Sequence, residues 1–216
     1  MNAQKIEQTL GRYATVIEKP LVLRARLLVF FAALMLIPTF LLPLWEMHFV
    51  AQQYPEGLDL YIYSNTIEGG DDGNDLTEIN VLNHYIGMAE LRAEDFVELR
   101  WIPLVVGLVG ILTLRAAVVG SVSSVIDLIV MSLYFSLFSL ISFWLKLREY
   151  GHNLDPRAAV RVDPFTPPVF GYRMVGQFHV WAYPHWGTLF FTLFGVLLVL
   201  ALILSIRQWV RATKQP

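Results

Sequence analysis

No cysteine occurs among the 216 residues. That excludes disulfides, thiolate metal sites, c-type haem attachment, iron–sulfur clusters and cysteine nucleophiles. Charge is also scarce. Asp, Glu, Lys and Arg make up 16% of the chain, against about a quarter in soluble domains, which disfavours an ordinary soluble enzyme. There is no basic block with interleaved aromatics, so the usual footprint of nucleic-acid binding is missing. GxSxG, HExxH and P-loop patterns are missing too. Apolar residues are abundant: 56% of the chain, with mean hydropathy +0.53. They gather into long uncharged stretches that alternate with acidic, Gly- and Pro-bearing ones, the pattern of an integral membrane protein.

Four stretches approach the ~20 residues that cross ~30 Å of hydrocarbon: residues 27–44, 101–119, 122–145 and 188–206. Only Gly120 and Ser121 separate the middle two, so 101–145 reads as a tight hairpin with Arg115 and Asp127 on one side near its turn. The first span does not read as a cleaved signal peptide. Glu7 and Glu18 precede it, and Pro43-Leu44-Trp45-Glu46 offers no small-residue cleavage site. One side of the bilayer receives nine basic and three acidic residues, the other seven basic and fifteen acidic. The positive-inside rule makes the first side cytoplasmic. Both termini are then inside, as segments 1–26 and 207–216, and segments 45–100 and 146–187 face the periplasm of a bacterial inner (plasma) membrane. Ile6, Leu10, Tyr13 and Ile17 recur at helical spacing and predict an amphipathic helix on the inner surface. The expected fold class is an all-α membrane protein: a four-helix transmembrane bundle in the lipid bilayer, with two long periplasmic loops forming a small cap.

Segment 45–100 holds twelve acidic residues against Arg92 and Arg100. Leu58, Leu60 and Ile62 alternate with Asp59, Tyr61 and Tyr63, the pattern of a half-buried strand. Residues 69–75 read as a turn, since their acidic cluster lacks EF-hand spacing, and a helical turn follows that ends near Gly87. Segment 146–187 carries Pro156, Pro164, Pro167, Pro168 and Pro184, which reject helix and favour extended chain. Its aromatics, Phe165, Phe170, Tyr172, Phe178, Trp181, Tyr183 and Trp186, supply apolar surface to pack on the first segment and the membrane interface.

All five histidines, His48, His84, His152, His179 and His185, fall in these outer segments, and three have a methionine close in sequence. Met47 adjoins His48, Met88 follows His84 by four, and Met174 precedes His179 by five. Thioether with imidazole suits copper, especially Cu(I), and suits oxygen-preferring ions poorly. A cysteine-free site also survives an oxidising periplasm without forming disulfides. The spacing predicts that His84 and Met88 share a helix face and form half of a Cu(I) site. His179, or Met47 with His48, would complete it, with His185 and Met174 as further candidate ligands. Each histidine also has a plainer role: His48 or His185 as an interfacial residue, His84 as a hydrogen-bonded organiser of its loop, His179 as a packing residue beside Phe178 and Trp181, His152 in a turn. No histidine falls within a span, which disfavours intramembrane haem.

Four fragments occur together: Gln53-Tyr54-Pro55-Glu56-Gly57-Leu58, Ile79-Asn80-x-Leu82-Asn83-His84-Tyr85-Ile86-Gly87-Met88, Pro167-Pro168-x-x-Gly171 and Ala182-Tyr183-Pro184. In these the chain resembles small four-span membrane proteins encoded beside nitrous oxide reductase and its copper-maturation (nos) genes. The resemblance covers nearly half the chain, and its most specific part is the block ending at Met88. It implies a role in periplasmic copper handling or in support of nitrous oxide reductase. The sequence thus predicts a non-enzymatic accessory protein whose partner is a periplasmic copper enzyme or chaperone. The alternative is a metal-free docking or scaffold subunit for a periplasmic redox partner.

Overall fold

A computed structural model describes residues 15–175 and 178–212, and the chain divides into two units. One comprises 1–37, 105–135 and 191–216, as far as these are described; the other comprises 38–104 and 136–190. Four helices are long and apolar enough to cross a membrane, which is compatible with a multi-pass membrane protein. They are α1 (Leu23–Met35, followed by a 3-10 turn at Pro38–Phe40), α3 (Glu98–Val119), α4 (Val122–His152) and α5 (Trp186–Ala212). Their mean hydropathies are 1.8, 2.3, 2.1 and 2.9. Most of the amphipathic helix expected over Ile6, Leu10 and Tyr13 lies outside the described residues.

In the first unit small and branched residues line the helix contacts: Ala25, Val29 and Ala32 on α1, Val109 and Ala116 on α3, Val125 on α4, and Phe194, Leu198 and Ala201 on α5, all buried. Small side chains let apolar helices approach closely where lipid offers no hydrophobic drive. Thr113 and Ser132 satisfy their hydroxyls on the carbonyls of Val109 and Leu128, each at 2.7 Å. Leu27, Ile111, Val118 and Leu133 point outward and are more than half exposed. The predicted hairpin turn at Gly120-Ser121 is present. Leu21 donates to the Gly120 carbonyl, Val122 to that of Lys19, and Arg26 Nη1 caps α3 through the Val118 carbonyl at 2.7 Å.

The second unit overturns the all-α expectation. It is built on a five-stranded antiparallel sheet in the order β3-β2-β1-β5-β4, where β1 is Trp45–Ala51, β2 Tyr54–Ile62, β3 Ile67–Gly69, β4 Gly171–Val175 and β5 Phe178–Pro184. The two segments expected to form a cap of loops pair directly: β1 runs against β5 from Trp45↔Pro184 to Val50↔His179. Only β2 was legible as a strand, because its alternation is clean. In β5 aromatic residues occupy both faces, so period two is hidden; in β1 Trp45, Met47 and Phe49 do alternate with Glu46 and His48, but the run is short and adjoins the apolar stretch before it.

Met47, Leu58, Leu60, Val175, Val180 and Ala182 form the buried face of this sheet. Helix α2 (Asn74–Tyr85) packs on that face through Ile79, with Leu76 and Leu82 beside it. Asn80 clasps Leu91 in both directions, accepting from its N–H at 2.7 Å and donating to its carbonyl at 3.2 Å. The Asp75 carboxylate accepts from the Asp59 N–H at 2.8 Å and ties the start of α2 to β2.

Candidate functional site on the outer sheet face

Side chains alternate along a strand and pair across it, so the register fixes what shares the face opposite the core. One row is Asp59, His48, Trp181 and Tyr172. A second is Tyr61, Glu46 and Tyr183, and a third is Val50, His179 and Met174. His48, His179 and Met174 therefore lie on one surface, and His185, at the end of β5, joins it through Glu46 and Tyr61.

Each histidine is held by a named partner. His48 Nδ1 meets Asp59 Oδ1 at 2.5 Å, both side chains being about one-third exposed. Its ring lies against the backbone of Gly57, where a Cβ would fall on Cε1 and Nε2. Gly57 has φ +93°, a left-handed conformation that glycine adopts without strain, so the backbone there is shaped around the imidazole. His179 Nδ1 lies 2.7 Å from the Tyr172 hydroxyl, and the two rings stack. Trp181 stands between the two imidazoles, with ring centroids 5.9 Å from His48 and 6.0 Å from His179. His185 Nε2 is 3.6 Å from Glu46 Oε2, and its buried Nδ1 has no hydrogen-bond partner. A hydroxyl on Nδ1 orients the His179 imidazole and leaves its Nε2 to face a ligand, as in many metal sites, whereas the Nε2 edge of His48 lies against Gly57.

The other predicted ligands are elsewhere. Met47, next to His48 on a strand, points to the opposite face and is 2% exposed in the core. His84 and Met88 do not share a helix face, because α2 stops at Tyr85. Gly87, at φ +77°, closes a Schellman cap in which Met88 N–H bonds to the Asn83 carbonyl and Gly87 N–H to that of His84. The cap turns Met88 towards the core side beside Asn83 and leaves His84 exposed. His152 sits at the end of α4, bonded to the Arg148 carbonyl at 2.9 Å. Asp59, Gly57, Tyr172 and Trp181 were not singled out from sequence as site residues. For Trp181 the signal is the period-two spacing of His179, Trp181 and Tyr183; the other three reach the site through strand pairing alone.

Among the described residues no three His, Asp or Glu side chains are grouped to hold a metal ion. His179 and Met174, paired across β5 and β4, are the imidazole and thioether that stand side by side on this face.

Burial, then the Asp59 and Glu46 carboxylates, raises the Tyr61 phenol above its usual 10.0. Tyr63 is raised by burial and Glu68, and Tyr54 first by its hydrogen bond to Glu78. The folded chain thus keeps phenolic protons at pH values where the unfolded chain has lost them. The resulting stability is complete below pH ~10 and falls as pH rises beyond it. Tyr61→Phe should blunt this alkaline loss in a pH series of thermal melts. An unchanged profile would contradict the assignment.

No family model, curated protein or solved structure matches this chain.

Proposed function

We propose that the protein is a membrane-anchored accessory protein for periplasmic copper handling, or for support of a copper enzyme such as nitrous oxide reductase, and that the outer sheet face is its working surface. The observation that carries this reading is the gathering of His48, His179 and Met174 on one face, with both Nδ1 atoms already engaged. The Lys/Arg asymmetry supports a periplasmic position for the sheet segments. Copper is cargo here. Imidazole and thioether would hold it and yield it to an acceptor's own ligands, with no bond made or broken in the protein chain.

The test is a competitive Cu(I) titration of the full chain in detergent against a chromogenic chelator. His179→Ala and Met174→Leu should each weaken binding by about tenfold or more, since each removes one of few soft ligands. Met47→Leu should leave affinity unchanged and cost under ~1.5 kcal/mol of stability, being a volume-conserving core exchange. His84→Ala should also bind as wild type does. If wild type binds no Cu(I) at micromolar concentration, the copper reading is wrong and a metal-free docking subunit takes its place.

A further inference from the structure

Between residues 101 and 145, Arg115 on α3 and Asp127 on α4 are the only charged side chains. They have opposite sign and stand at nearly the same distance from the hairpin turn. Arg115 lies five residues before Gly120 and Asp127 six after Ser121, which is about 7–9 Å along each helix at 1.5 Å per residue. Both are exposed, and among the described residues neither has an ion-pair or hydrogen-bond partner. Each stands on an apolar helix face. Leu108, Ile111 and Val119 share the face of Arg115, and Val130 and Tyr134 that of Asp127, all of them exposed. Of the four long apolar helices, α4 has the smallest buried share.

Ionisable side chains within membrane spans nearly always turn towards other protein or pair with one another. The long Arg115 stem can carry its guanidinium to the headgroups. The short Asp127 side chain has no such reach, so its carboxylate calls for a cation at its own depth. A second copy supplies one. Copies related by a two-fold axis along the membrane normal hold each residue at the same depth, and a contact between two different residues then occurs twice. The matched depths and opposite signs make the α3–α4 hairpin self-complementary. We propose that the protein associates with a second copy of itself through the exposed faces of α3 and α4. Arg115 of each copy pairs with Asp127 of the partner subunit, and the apolar residues around them cover one another. Both charges lie away from the sheet, so this inference does not depend on the copper reading.

The test is Förster transfer between copies of the full chain in phosphatidylcholine vesicles, followed as the protein-to-lipid ratio is varied. The chain has no cysteine, so Gln208→Cys, at an exposed position of α5, gives one site for a donor or an acceptor dye. In this background transfer should saturate and should fall when unlabelled chain is added. Arg115→Asp and Asp127→Arg each set two like-charge pairs across the two-fold. Each should raise the ratio at half-saturation at least about tenfold, since two interhelical polar pairs are lost and reversed. A mixture of donor-labelled Arg115→Asp with acceptor-labelled Asp127→Arg restores both attractive pairs, one from each chain, and should return to within about threefold of the unsubstituted protein. A pair formed within one chain cannot be restored by mixing. Asp127→Asn removes the charge and keeps the shape. It should weaken association about threefold or more, so the test does not rest on the charge reversals folding. The proposal is overturned if the unsubstituted chain shows only the transfer of random proximity, a result that needs no charge variant. It is equally overturned if Asp127→Asn associates as tightly as the unsubstituted chain, or if the mixture transfers no better than the single variants.

Discussion

Gly57→Val should lower the thermal midpoint of the protein in detergent steeply and release His48 from Asp59. Two effects act together. A β-branched residue at φ +93° carries a backbone strain of about 1–3 kcal/mol. Its Cβ would also occupy the place of the imidazole, so either the ring or strand β2 must move. Together these should cost at least ~3 kcal/mol, a large share of the 5–15 kcal/mol by which domains are stable. The two parts separate in a double-mutant cycle with His48→Ala. Removing the ring should restore the steric part and leave the backbone part. Equal destabilisation in both backgrounds would show that the ring does not lie against Gly57. The copper titration of Gly57→Val gives a second readout, since a displaced His48 can no longer share the face with His179 in the same way.

Ile79→Ala should be the most damaging truncation in the sheet unit. Ile79 is 2% exposed and is the fully buried contact of α2 with Met47, Leu58, Leu60 and Val180. Truncating a buried Ile typically costs 2–5 kcal/mol, the transfer energy plus the cavity left behind. The value should fall high in that range, because the sheet beneath is held by its ladder and cannot collapse into the gap. Near-UV circular dichroism melts would measure it. A loss below ~1 kcal/mol would mean that α2 is not seated on the sheet through this residue.

The helices were the most legible part of the chain. A run of about twenty apolar residues has few alternatives, and the expected spans differ from α3, α4 and α5 mainly where polar residues continue the helix: Glu98 and Arg100 in the first turn of α3, Lys146 to His152 beyond residue 145 in α4, and Arg207 and Arg211 in α5. A hydropathy reading stops at charge, whereas backbone hydrogen bonding does not. The sheet was legible only at Leu58, Leu60 and Ile62. Strand pairing is a relation between distant segments, and nothing within 45–51 states that 178–184 is its partner. The site was half legible for the same reason. Residue type points to His48, His179, His185 and Met174, but neighbours in sequence are not neighbours in space here. Met47 and His48 adjoin and face opposite ways, while Met174 and His179 lie five apart and stand side by side across two strands. His84 and Met88 had the right interval for a helix, but the helix ends between them.

The pairing of β1 with β5 sets an order on the making of this protein. When β1 and β2 have left the ribosome they can form their hairpin, yet β1 then presents a row of unsatisfied amides and carbonyls along its other edge until residue 178 and those after it have been synthesised. An exposed edge of that kind invites pairing with another chain, and contacts so distant in sequence form slowly. Glu46 on β1, facing away from the core, and the acidic excess of the surrounding segment set like charges against one another when two such hairpins meet. A truncated chain ending before Phe178 would keep the exposed edge permanently and lose the face that β5 completes.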